Sequence, residues 1–416
     1  MADAGIQVFV QIRGEDVPAG RFFPHRRGKA ESGTFNYFSS YLARRDAYDF
    51  DPALPLVSGA LQTPAGRKIF GAFSDCAPDG WGRMLIARRR RKAEGNTAME
   101  SYSEADYLLG ARDDLRQGAL RFKASEAGDF LAVDEEGVPD LLELPELLNL
   151  AARAEADAAS EEELEILRRG GSSLGGARPK VHVRDGEGRI SIAKFPRPEK
   201  DQWNVVAWER VALSLARLAG VAVPDSELRE IDGRSVLIVR RFDRRGELRI
   251  GYVSAMTMLE AGEMEQRSYL EIVDVIEQIS ARGTADIREL WRRIAFTILI
   301  RNTDDHLRNH GFLRTSTSGW TLSPAFDLNP DPEPGNNRLS TSVDDSSDEA
   351  SLVLLLENAE LFRLKEEEAR QILAEVSRAT RGWRDAAARE GLDQREMSRM
   401  EAAFEHDSAM FARRFE

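Results

Sequence analysis

Apolar and polar residues alternate at the start of the chain, with Ile6, Val8, Val10 and Ile12 on one side of a period-two run. This predicts a half-buried strand. Residues 22–41 continue a β-rich beginning, and a helix is expected from about Trp81 to Lys92. From about Leu131 to Arg169 the chain is rich in Ala, Glu and Leu, and is read as helical or loosely ordered. Two more period-two runs, Val181-His182-Val183 and Arg189 to Phe195, flank Asp185-Gly186-Glu187-Gly188, a hairpin signature. Residues i, i+2 and i+4 of a strand share a face, so Lys194 is predicted to project with Ile190 and Ile192 onto the buried side. Helical spacing of Val205, Trp208, Ala212, Leu215 and Ala219 then predicts a helix, with Glu209 on the border of its apolar stripe. A strand over Ser235 to Val239 is followed by mostly helical stretches, Tyr269 to Arg301 and Glu366 to the end. Ala369, Ile372, Leu373 and Val376 mark the last of these most clearly, and no internal repeat is seen.

One stretch fits neither period. Residues 329–351 are polar and acidic, with Pro330, Pro332, Pro334, Gly335 and several serines, and are too long for an ordinary turn. Both a functional segment and a disordered insertion fit this composition.

Composition narrows the classes. A chain of 416 residues with 42% hydrophobic content can bury a substantial core, and its length argues for two or three domains. Its one cysteine, Cys76, excludes an intrachain disulfide framework and is read as a small packed residue. A formal charge of -13 argues against extensive direct binding to nucleic acid. The basic run Arg88 to Lys92 is read as the solvated end of a helix, with a local contact to nucleic acid or an acidic partner as its alternative. The beginning, Met1 to Gly5, lacks signal-peptide character, and no apolar run is long enough to span a bilayer. A cytoplasmic protein with no membrane partner is expected.

Candidate chemistry lies in Thr303-Asp304-Asp305-His306-Leu307-Arg308-Asn309 and in Pro324-Ala325-Phe326-Asp327. Asp304 and Asn309 have the Asp-x4-Asn spacing by which a kinase catalytic loop sets a carboxylate on the attacking hydroxyl and an amide oxygen on magnesium. Asp327 can then be the second metal ligand. Phosphoryl transfer needs little more than in-line geometry, an oriented nucleophile and cations on the phosphate oxygens. Asp and Asn also recur in loops for turn formation alone. Upstream, Ser172-Ser173-Leu174-Gly175-Gly176-Ala177-Arg178-Pro179-Lys180 is not an NTPase P-loop. Its glycines still allow close approach to phosphate, as they would equally allow a plain turn. A buried strand lysine such as Lys194 is costly unless paired, for example with phosphate and Glu209; a lysine snorkelling from a strand end is the alternative.

These segments, with Ile192-Ala193-Lys194-Phe195-Pro196, Arg241-Phe242-Asp243-Arg244 and Leu322 to Asp327, resemble in order the motifs of the HipA family of bacterial toxin-antitoxin serine/threonine kinases. Phe35-Asn36-Tyr37, Leu54-Pro55-Leu56, Phe73 to Gly80 and Gly118-Ala119-Leu120 resemble the extra N-terminal subdomain of that family. The resemblance implies an α+β, bilobed protein-kinase-like fold. Residues 1–130 would form the β-rich subdomain, 131–245 the kinase N-lobe and 246–416 a helical C-lobe. It implies Asp304 as catalytic aspartate, Asn309 and Asp327 as magnesium ligands, and Lys194 on the ATP phosphates. Gly175, Gly176, Ala177, Arg178, Pro179 and Lys180 would form the phosphate loop. Arg240, Arg241, Phe242, His306, Leu307, Arg308 and Phe326 would line the nucleotide site, with a backbone contact expected at Arg240. Ser173 matches an autophosphorylated serine that silences the kinase. A small helix-turn-helix antitoxin, operator DNA reached through it, and an aminoacyl-tRNA synthetase as substrate are the implied partners, with growth arrest as the outcome. Residues 329–351 then occupy the place of an activation segment. A small-molecule phosphotransferase and a catalytically silent antitoxin-binding scaffold remain alternatives, although Lys194, Asp304, Asn309 and Asp327 are all present.

Overall fold

The computed structural model describes residues 5–78, 80–94, 102–124, 128–131, 137–171, 176, 178–263, 265–333, 335 and 337–416. Two compact units emerge. The first comprises Met1–Arg197, Asp243–Glu260 and Leu313–Thr317; the second comprises Pro198–Phe242, Ala261–Phe312 and Ser318–Glu416.

In the first unit, strands β1 (Ile6–Ile12), β2 (Glu15–Arg27), β3 (Ala30–Tyr37), β4 (Leu61–Gln62) and β5 (Leu120–Lys123) form one sheet in the order β4-β3-β2-β1-β5. Strand β1 is expected to be half-buried, yet Gln7 and Phe9 are buried along with Val8 and Val10. Phe130 closes on Phe9 from the second face at 5.4 Å. Phe22, Phe35 and Phe70 meet Phe73 edge-on at 5.0, 5.9 and 5.6 Å, the geometry favoured by ring quadrupoles. Two strand glycines make room for these rings. A Cβ at Gly20 would stand 2.4 Å from the Phe35 ring, and one at Gly33 equally close to Phe22.

Several motifs of the N-terminal third serve this packing. The Tyr37 hydroxyl donates to the Leu54 carbonyl (2.7 Å), and Asp75 accepts from the Ser254 amide (2.7 Å) and hydroxyl (2.8 Å). The Gly118 amide donates to Asp243 (2.8 Å), while Arg244 donates back to the Gly118 carbonyl (3.2 Å). Cys76 is buried and donates to Ala72 O at 3.2 Å; burial pushes its thiol pKa up to about 12, which fits a packed, unreactive residue.

The Gly80–Glu94 helix carries the basic run. Arg88 turns back to pair with Asp157 at 3.3 Å, and the side chains of residues 89–92 lie outside the described ones. Within 131–169 the described residues include helices Leu144–Glu155 and Glu161–Arg169. The second begins in a capping box: Ser160 Oγ accepts from the Glu163 amide, and Glu163 accepts from that of Ser160. Strands β6 (Lys180–Arg184) and β7 (Ile190–Lys194) form the expected antiparallel hairpin. Both faces are covered: Ser191 and Ala193 are buried with Val181 and Val183, and the half-buried Ile190, Ile192 and Lys194 share the other face with buried Lys180 and His182.

In the second unit, the Val205–Leu218 helix starts where Asn204 accepts from the Ala207 amide. Trp208 is buried between Trp383 (6.0 Å) and Phe404 (6.1 Å) and donates to Glu396 (3.0 Å). Strands β8 (Ser226–Ile231) and β9 (Arg234–Arg240) pair antiparallel. The mostly helical stretch expected from Tyr269 to Arg301 is two helices, Tyr269–Ile279 and Thr284–Leu299, the second entered at Gly283 with φ 48°. The Glu366–Arg381 helix buries Ala369, Ile372, Leu373 and Val376 as expected. Within 329–351, Thr341–Ser342 pairs in parallel with Arg267–Ser268, and Arg338 bridges to Glu349. Among the described residues no helix is long and apolar enough to cross a membrane.

Candidate active site

The Thr284–Leu299 helix is buried along most of its length, which makes its C-terminus a fixed point. Arg301 then adopts φ 52° and the Asn302 amide caps back to the Thr297 carbonyl at 3.0 Å, turning the chain sharply. Asp304 follows on the exposed side and Asp305 on the buried side. The His306 amide donates to the Asp304 carbonyl (3.0 Å), and a short 3-10 turn, Leu307–Asn309, completes the loop. Asn309 is buried, and its Nδ2 donates to the Asp304 carbonyl at 3.2 Å. Its amide nitrogen is therefore used by the loop itself, which leaves Oδ1 as the atom able to face a cation.

Asp327 approaches from a separately anchored segment. The Ala325 amide donates to Ala222 O (2.7 Å), Arg293 donates to Ser323 O (2.6 Å), and the Asn329 amide donates to Asn302 Oδ1 (3.3 Å). Asp327 itself has φ 60°, a left-handed conformation uncommon outside glycine and tolerated best by Asn and Asp. Asn329 Nδ2 steadies it by donating to its carbonyl (3.2 Å) and to Oδ1 (3.4 Å). Partial desolvation raises the pKa of Asp304; the charges of Asp327 and Asp305 add to this, while His306 and the Ser340 hydroxyl oppose it. Two carboxylates thus share one locality with an amide oxygen. These are hard oxygen donors of the kind magnesium prefers.

The remaining nucleotide-site candidates are placed as follows. Phe242 and Phe326 meet at 5.5 Å, joining the end of β9 to the Asp327 segment. His306 is half-buried, with its Nδ1 buried and lacking a protein partner. Leu307 and Arg241 are buried, and Arg308 pairs with Glu263 at 2.5 Å. Arg240 is exposed, and its amide is spent on Asp225 O (2.8 Å), so a backbone contact there would have to use its carbonyl. Glu209, expected at a stripe border, is buried because Val206, Ala207 and Val211 widen the covered face of its helix. In the first unit, Lys180 and Lys194 stand directly opposite each other across the β6–β7 hairpin. Gly176 has φ 110°, and a Cβ there would lie 3.1 Å from Lys180 Nζ. Lys194 belongs to the first unit and Glu209 to the second. Ser172, Ser173, Leu174, Gly175 and Ala177 lie outside the described residues, while Arg178 and Pro179 precede β6 within them.

A buried network behind the loop has no counterpart in the sequence reading. Asp305 Oδ2 accepts from Tyr269 Oη (2.6 Å) and Thr297 Oγ1 (3.4 Å) and pairs with His310 Nε2 (3.1 Å). Thr341 Oγ1 donates to the Asp305 carbonyl at 2.8 Å. Desolvation opposes ionisation of Asp305, but His310 and the Tyr269 hydroxyl outweigh it and hold the carboxyl below its ordinary value of 3.8. A depressed folded-state pKa contributes stability that is present above the unfolded value and lost as pH falls through the folded one. Tyr269→Phe removes one donor from this buried charge and should cost about 1.5–3 kcal/mol. Urea unfolding checks this. The difference from wild type should persist at neutral pH and shrink in acid below the ordinary aspartate range.

A family model described as the HipA-like C-terminal domain matches residues 172–383. Y4dM of Sinorhizobium fredii, named as an inferred kinase, is 25% identical over 303 residues, covering 69% of this chain and 70% of its own length. A Haemophilus influenzae protein named in the same way is 26% identical over 194 residues, covering 41% of this chain and 56% of its own. The solved Shewanella oneidensis MR-1 toxin-antitoxin complex of HipA, HipB and operator DNA matches with TM-score 0.65 at 15% identity. That match covers 98% of this chain and 96% of the other, and shows a shared α+β fold. The family match spans half of the chain and takes in both halves of the loop geometry above, Asp304 to Asn309 and Asp327; the chain belongs to the family defined by the HipA-like C-terminal domain.

Proposed function

We propose that this chain is an ATP- and magnesium-dependent serine/threonine protein kinase, acting as the toxin of a toxin-antitoxin pair. The observation that carries the reading is the bond from Asn309 Nδ2 to the Asp304 carbonyl, with the charge of Asp327 acting on the Asp304 carboxyl. Asp304 would orient the acceptor hydroxyl and take its proton. Asn309 Oδ1 and the Asp327 carboxylate would hold magnesium, which supplies positive charge to the phosphate oxygens. Phe242 and Phe326 offer an apolar wall to the adenine, and the family resemblance assigns Arg178, Lys180 and Lys194 to the phosphates.

Family membership and the fold shared with a HipA that was solved with HipB and operator DNA support a small helix-turn-helix antitoxin as partner. The net charge of -13 fits DNA contact made mainly through that partner. The substrate on this reading is a protein, by family resemblance an aminoacyl-tRNA synthetase, and phosphorylation of Ser173 would switch the kinase off.

Lys194→Met should weaken ATP binding by about tenfold, or 1.4 kcal/mol, in calorimetry; unchanged affinity would return Lys194 to a strand-end charge. Phosphoproteomics after brief expression, against an Asp304→Asn control, tests the function. A new phosphoserine or phosphothreonine on a host protein is the expected result. Label confined to small molecules would instead identify a small-molecule phosphotransferase.

A further inference from the structure

The segment beyond Asp327 returns to the catalytic loop at one place. The Ser340 amide donates to the Thr303 carbonyl at 3.0 Å, and Thr341 Oγ1 donates to the Asp305 carbonyl at 2.8 Å. Consecutive residues 340 and 341 thereby grip the residues on either side of Asp304. These two bonds hold Ser340 alongside Asp304, whose carboxyl its hydroxyl helps to keep ionised. The grip is braced from behind. Thr341 and Ser342 pair with Arg267 and Ser268, Gln266 Nε2 donates to Ser340 O (3.4 Å), and the Leu339 amide donates to Asp348 O (2.7 Å). Leu339 and Thr341 are buried, whereas Ser340 is exposed. An exposed serine is thus held by rigid flanks alongside the carboxylate that would serve as catalytic base, where an acceptor hydroxyl must come.

We propose that Ser340 is an internal phosphoacceptor of this site. The inference rests on the kinase reading above. In the transfer, Ser340 Oγ forms a bond to the γ-phosphorus of ATP as the bond between that phosphorus and the β,γ-bridging oxygen breaks. The hydroxyl proton passes to Asp304 and ADP leaves. The product carries close to two negative charges beside Asp304, Asp305 and Asp327. Repulsion among these groups would break the contacts of Ser340 and Thr341 with the loop and leave Asp304 open to another hydroxyl. Unmodified, Ser340 occupies the acceptor position and competes with substrates.

The test uses the full chain, dephosphorylated and then incubated with ATP and magnesium, with ADP formation and site-resolved mass spectrometry followed together. Phosphate should appear on Ser340, resolved from Thr341, Ser342, Ser172 and Ser173, with a rate constant independent of protein concentration. It should be absent in Asp304→Asn and in Ser340→Ala, and Ser340→Thr should carry phosphothreonine. Asp304-dependent ADP formation with Ser340 unmodified would overturn this proposal alone, as would a rate that rises in proportion to protein concentration. Absence of any Asp304-dependent ADP formation would overturn the kinase reading and this proposal with it.

Discussion

Asp304→Asn should lower phosphoryl transfer by at least about a hundredfold, as is usual when a positioned proton acceptor is removed, and leave the loop in place. Asparagine matches aspartate in shape but cannot take a proton. The bonds that shape the loop reach residue 304 through its backbone: the His306 amide and Asn309 Nδ2 both donate to its carbonyl. An amide oxygen can also keep the Ser340 contact. Nucleotide affinity and unfolding midpoint should therefore stay close to wild type while ADP production collapses. Wild-type-like turnover would remove Asp304 from the chemistry.

Substitutions of Asp327 should separate its backbone role from its ligand role. At φ 60°, asparagine is tolerated, whereas alanine in the left-handed region costs roughly 1–2 kcal/mol. Asn329 can still donate to an amide oxygen in Asp327→Asn, but not to the side chain of Asp327→Ala. Asp327→Asn should thus fold with near-wild-type stability and lose magnesium-dependent turnover on the order of a hundredfold or more. Asp327→Ala should lose the same activity and also unfold at lower denaturant. Equal stability of the two variants would contradict the strain argument, and retained turnover in Asp327→Asn would contradict the metal assignment.

How much of this was readable in the sequence depended on whether a local pattern decided the outcome. The β6–β7 hairpin was legible because Asp185-Gly186-Glu187-Gly188 separates two runs of strand formers, and the register follows from the turn. Its more deeply buried face was not. Ile190, Ser191, Ile192 and Ala193 carry small or apolar groups on both parities, and only tertiary packing chose Ser191 and Ala193. The Asp-x4-Asn spacing pointed to Asp304 and Asn309, yet it treats Asp304 and Asp305 alike. The turn after Arg301 separates them, sending one carboxylate outward and the other onto Tyr269, Thr297 and His310. A paired Asp-Asp followed five residues later by His310 was the one available signal, and it is weak. Ser340 was less visible still. It lies in a polar stretch whose composition also suits an unstructured loop, and its meaning comes from backbone bonds to Thr303 and Asp305 that no period encodes.

The most direct test of the central claim is a γ-labelled ATP experiment on the purified chain, with and without magnesium, comparing wild type with Asp304→Asn and Asp327→Asn. The account predicts magnesium-dependent transfer of label to serine or threonine hydroxyls by wild type, and loss of that transfer in both variants while ATP still binds. Transfer that persists without a divalent cation, or that proceeds equally in the variants, would contradict it.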